Sequence, residues 1–145
     1  MRLCPANLIA TLVEQGPRAY DDPGIDTCGF TEDIATLKSV VARQEASGGG
    51  DFPEDVCGGL REALAFEWTA QKRHLFLVAD APCHGERYHD LQDSYPSGDP
   101  TKLVPEEQLE ELMTEGGKRA QVHFGRVEDA NNYPHTARNH RSCSL

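Results

Sequence analysis

The stretch "HLFLVADAPCHG", residues 74–85, constrains the fold more than any other. Residues 74–79 are the most continuously apolar run in the chain, and they end on Asp80 and a group of chain breakers. An apolar run without polar alternation predicts a strand covered on both faces, as in a parallel sheet. In open α/β sheets, ligands sit outside the carboxyl ends of such strands, where the following loops part. Asp80 stands at that point, either as a ligand-facing carboxylate or as a turn residue that bonds its own backbone ahead of Pro82.

The flanking sequence supplies helices. Residues 17–29, "PRAYDDPGIDTCG", are dense in proline, glycine and aspartate and read as loop. A first helix follows, with Thr31 as N-cap, Glu32 and Asp33 at the positive end of the dipole, and Ile34, Leu37, Val40 and Val41 on one face. Gly48, Gly49 and Gly50 end it, since each glycine costs a helix about 1 kcal/mol relative to alanine. In "DFPEDVCGGLREALAFEW", Asp51 reads as the cap of a second helix with Glu54 as its capping-box partner, and Val56, Leu60 and Leu64 face the sheet. Gly58 and Gly59 within it imply a close approach of helix to strand.

Pro105 opens a third helix to about Glu115, with Leu109, Leu112 and Met113 apolar and Gly116 and Gly117 at its end. "AQVHFGRV" then reads as a second strand, nearer a sheet edge. This order predicts parallel strands joined by a right-handed crossover. Two strands cannot hold three helices, so either "NLIATLV" adds a strand or the chain is part of a larger domain. The segments are therefore an amino-terminal stretch 1–19, a domain 20–127 and a tail 128–145 without periodicity, expected to be poorly ordered.

Fourteen basic against twenty-four acidic side chains give a formal charge of −10. That balance repels phosphate backbones and anionic membranes, so neither nucleic acid nor membrane is an expected partner. No apolar run approaches the roughly 20 residues of a membrane span, and the amino terminus lacks the pattern of a signal peptide. The five cysteines are odd in number and contain no C-x-x-C pair, which predicts reduced thiols and a cytoplasmic location.

"GGGDFPEDVCGGLREAL", then "LFLVADAPCHGERYHD", then "YPSGDP" resemble the von Willebrand factor A domains, in the subtype that accompanies alpha-type atypical protein kinases. The resemblance runs from about Tyr20 to Val127. It implies a three-layer, doubly wound α/β (Rossmann-like) fold with a parallel central sheet, here incomplete at the amino terminus. It also implies a metal-ion-dependent adhesion site, where a cation such as Mg²⁺ or Mn²⁺ takes a carboxylate from a protein partner at the loops after the strands. In the family that site draws on a D-x-S-x-S stretch, a threonine and an aspartate ending a central strand. Asp80 matches the aspartate, Asp51 stands in the threonine's loop, and no D-x-S-x-S occurs. Mg²⁺ wants near-octahedral oxygen coordination, which a lone aspartate supplies poorly, so Asp51 would have to compensate with its charge.

Cys83, His84, His89, Asp90 and Asp93 crowd into eleven positions, and all are ligand types that zinc accepts. Their spacing matches no closed zinc site, and a loop packed by Tyr88 and Tyr95 is the favoured reading. A Cys83–His84 nucleophile pair is weaker, because adjacent residues on an extended loop point apart. Phe66 and Trp68 read as core before they read as a partner-binding patch.

The function expected is a non-catalytic protein-interaction module with Asp80 and Asp51 as metal ligands. One alternative is a fragment or regulatory domain of an alpha-type serine/threonine protein kinase. Another is a small metal-dependent hydrolase built on the Cys83–Asp93 cluster. No phosphate-binding glycine motif is present.

Overall fold

The apolar run forms strand β3, His74–Ala79, and "AQVHFGRV" supplies strand β4, Gln121–Arg126. The computed structural model describes residues 8–13, 25–43, 51–79 and 81–126. The expectations for Asp80, for the triple glycine and for the tail lie outside the described residues. β3 and β4 pair in parallel, from His74 opposite Gln121 to Ala79 opposite Arg126. Helix α3, Pro105–Met113, lies between them in sequence, so β3–α3–β4 is the expected crossover unit.

Other strands depart from expectation. β1, Leu8–Val13, is the "NLIATLV" segment, but it pairs antiparallel with β2, Ile25–Thr31. The described strands thus make two two-stranded sheets rather than one parallel sheet. β2 also occupies residues 25–29, which read as loop. Its Ile25, Thr27, Phe30 and Thr31 favour extended backbone, a signal outweighed in the sequence by the adjoining prolines and aspartates.

Helix α1 is Ile34–Ala42, and its cap is Asp33 rather than Thr31. Asp33 accepts from Ala35 N at 2.9 Å and from Thr36 Oγ1 at 2.6 Å. Thr31 ends β2 and receives Asp33 N on its hydroxyl at 3.0 Å. Helix α2, Val56–Ala65, is capped by Asp55, which accepts from Gly58 N at 2.7 Å.

The core sits where α2 meets α3. Leu60, Ala63 and Leu112 are buried, with Val56, Leu64, Trp68, Leu75, Leu109 and Val122 packed around them. Trp68 belongs to this packing: its Nε1 donates to Ala63 O at 2.8 Å, and Phe30 meets both Phe66 and Trp68 edge-on. α3 stops tightly, because Ala120 N returns to Leu112 O at 2.8 Å and a Cβ at Gly117 would fall 1.8 Å from Glu111 O.

β3 is covered on one face only among the described residues. Leu75 and Val122 meet the helices, whereas Phe76 and Val78 are 69% and 64% exposed. The apolar run therefore concealed an alternation of burial. Phe76 stacks on His123 at 4.6 Å between ring centres, which shelters part of the outer face.

Leu112 is fully buried in a small core. Leu112→Ala should cost about 2–5 kcal/mol, whereas Val41→Ala on the exposed side of α1 should stay within about 0.5 kcal/mol. Urea unfolding of the two variants checks the contrast.

Candidate functional site

Residues 51–54 lead into α2 in extended form, and this determines where Asp51 goes. Glu54 N donates to Pro82 O at 2.8 Å, and Glu54 and Cys83 form a parallel bridge. That contact lays the segment before α2 along the loop that follows β3. Asp51 Oδ2 then accepts from Ser94 N and lies 3.9 Å from His84 Nδ1. The helix-cap and capping-box readings of Asp51 and Glu54 are thus replaced by contacts between loops, and Asp55 takes the cap.

Asp93 is the centre of this arrangement, with its side chain 1% exposed. Oδ1 accepts from His84 Nδ1 and from Tyr95 N, both at 2.7 Å, and Oδ2 accepts from Gly85 N at 2.6 Å. A carboxylate at that distance implies that His84 Nδ1 carries the proton. Burial alone would raise the Asp93 carboxyl, but the bonds from Gly85, His84 and Tyr95 outweigh it and hold the group below its ordinary value. Gly85 is at φ +120, and a Cβ there would press on the Tyr88 ring at 3.2 Å and on Gly98 Cα at 3.3 Å. Glycine alone fits that backbone.

His89 is also buried, at 3% exposure. Its Nδ1 accepts from Leu91 N at 3.1 Å, so the ring proton belongs on Nε2. Nε2 lies 3.2 Å from Asp93 Oδ2 but forms no hydrogen bond. Tyr95 packs edge-on against His84 at 5.0 Å. On the far side of the loop, Tyr88 donates to Glu106 Oε2 at 2.8 Å, and Arg87 pairs with the other Glu106 oxygen while lying over the Tyr88 ring. Both tyrosines pack the loop, as expected.

Of the residues singled out from the sequence, the structure joins Asp51, His84 and Asp93, whose ligand atoms lie within 4.8 Å of one another. Cys83 and Asp90 are not in that group. The Cys83 and Cys57 thiols are each pushed up to about 12, chiefly by burial. A protonated thiol is a poor nucleophile, so the Cys83–His84 pair has no chemical support. The link between Asp51 and the loop had no local signal, since 43 positions separate Asp51 from Ser94.

Asp93→Asn should destabilise the fold by about 2–3 kcal/mol by weakening bonds to a buried charge. The native carboxyl titrates below its unfolded value of about 3.9. Its contribution is therefore complete above that pH and fades as pH falls through the depressed native value. Urea midpoints of wild type and variant should differ most near neutrality and converge in acid.

The von Willebrand factor A domain family matches residues 18–95, more than half of the chain. The chain is 37% identical over 90 residues to the "Alpha-protein kinase vwkA" of Dictyostelium discoideum. That match covers 61% of this chain and 14% of the relative, so the chain spans only a small part of the relative's length. No solved structure gives a significant match. The chain belongs to the von Willebrand factor A domain family, in the form associated with alpha-type protein kinases.

Proposed function

We propose that the chain is a non-catalytic protein-interaction module whose contact surface is the loop 81–104 together with the segment before α2. The observation that carries this reading is the bonding of those two segments into one polar surface beside β3, through Glu54–Pro82, Asp51–Ser94 and the donors around Asp93. A surface held in one shape binds with less loss of conformational entropy than a free loop. Glu86, Arg87, Asp90 and Gln92 stand exposed along it, giving charged and polar groups to a partner. In this reading, the β3–α3–β4 crossover is one unit of a doubly wound fold. A hard cation, Mg²⁺ or Mn²⁺, adds a carboxylate-accepting position through Asp80 and Asp51. The raised thiols of Cys57 and Cys83 and the absence of a phosphate-binding glycine motif support a module without its own chemistry.

The relative's name favours a second reading, in which such a module regulates an alpha-type kinase domain. The two readings agree on what this chain does by itself.

A photo-crosslinking residue at position 92, on the loop, should give a discrete adduct in cell extract, and the same residue at position 38, on α1, should not. Equal labelling from both positions would refute the proposed surface. Incubation with radiolabelled ATP and a protein substrate should transfer no phosphate, and turnover would refute the non-catalytic reading.

A further inference from the structure

We propose that Asp51, His84 and Asp93 form a three-ligand site for Zn²⁺, with His89 as the outer donor that orients the Asp93 carboxylate. The assignment shares Asp51 with the Mg²⁺ reading but does not use Asp80, and it does not depend on the interaction reading.

Two observations carry it independently. The first is the donor set. Two carboxylates and one imidazole converge within 4.8 Å, and their side chains are 17%, 5% and 1% exposed for Asp51, His84 and Asp93. Imidazole with carboxylate suits a borderline ion such as Zn²⁺ better than Mg²⁺, which prefers oxygen alone and keeps several waters. Three protein ligands with a fourth position open are a recurrent zinc arrangement. Bonds of about 2.0–2.1 Å place tetrahedral ligand atoms roughly 3.3 Å apart. His84 Nδ1 and Asp93 Oδ1 at 2.7 Å must therefore part slightly, while His84 Nδ1 and Asp51 Oδ2 at 3.9 Å must close.

The second is the orphaned proton of His89. An N–H on a buried ring without an acceptor is costly, and Nε2 lies 3.2 Å from Asp93 Oδ2 without a hydrogen bond to it. Zinc displaces the proton from His84 Nδ1 and draws Oδ1 of Asp93 towards itself. The turn of the carboxylate brings Oδ2 into line with His89 Nε2–H, so the orphan donor gains its acceptor. A donor placed behind a ligating carboxylate is how metal sites fix their ligands. The bound ion would join the segment before α2 to the loop after β3 at the place where Asp51 already meets Ser94.

Titration calorimetry of the full chain with zinc chloride tests this. One equivalent should bind, the thermal unfolding midpoint should rise, and excess Mg²⁺ should not displace the zinc. Cobalt should bind in its place with the intense visible absorption of a four-coordinate ion. Asp51→Asn keeps the shape and an acceptor for Ser94 N, and should weaken zinc binding at least about 10-fold; His89→Gln should weaken it about 10-fold or more. Glu115→Gln, an exposed acid just beyond α3, should leave it unchanged. Absence of zinc binding in wild type, or binding undiminished in Asp51→Asn with the fold intact, would overturn the assignment. Loss of zinc binding in Glu115→Gln would overturn its ligand set.

Discussion

The arrangement depends on one buried carboxylate. Asp93 receives two backbone N–H groups and one imidazole N–H, and each bond fixes a different part of the loop after β3. A buried charge without partners would be prohibitive, so the loop must adopt the one path that surrounds it with donors. Gly85 makes that path possible by its left-handed backbone, and Tyr88 and Tyr95 fill the space beside it. The surface available to a partner is a consequence of this constraint.

A second consequence concerns Asp51. The sequence reading starts this helix at Asp51, whereas the observed cap is Asp55, an equally good cap residue. The bridge between Glu54 and Cys83 decides the matter by holding residues 51–54 extended, leaving Asp55 to begin the helix. Asp51 is thereby released to reach Ser94 and His84. The same acid that reads as a local cap becomes the link between two loops far apart in sequence.

What could be read in the sequence was what short-range physics determines. β3 and α3 begin where the apolar run and Pro105 place them, and the parallel crossover follows from their order. The polar density from Cys83 to Asp93 was visible as a cluster. β2 was hidden because its extended-favouring residues follow a stretch rich in proline and aspartate. The pairing of β1 with β2, the exposed face of β3 at Phe76 and Val78, and the position of Asp51 all rest on contacts between distant residues. No periodicity encodes those. Asp80, on which the family resemblance places the metal, lies outside the described residues, and the acids and imidazole that geometry does bring together are Asp51, His84 and Asp93.

The central claim is that the loop after β3 and the segment before α2 behave as one unit held by Asp93 and Asp51. Amide hydrogen exchange read residue by residue measures this directly. The account predicts that the amides of Gly85, Ser94 and Tyr95, together with Glu54, exchange slowly and at similar rates, near those of the buried turns of α2. Exchange of Gly85, Ser94 and Tyr95 at the rates of free loop, while α2 stays protected, would contradict it.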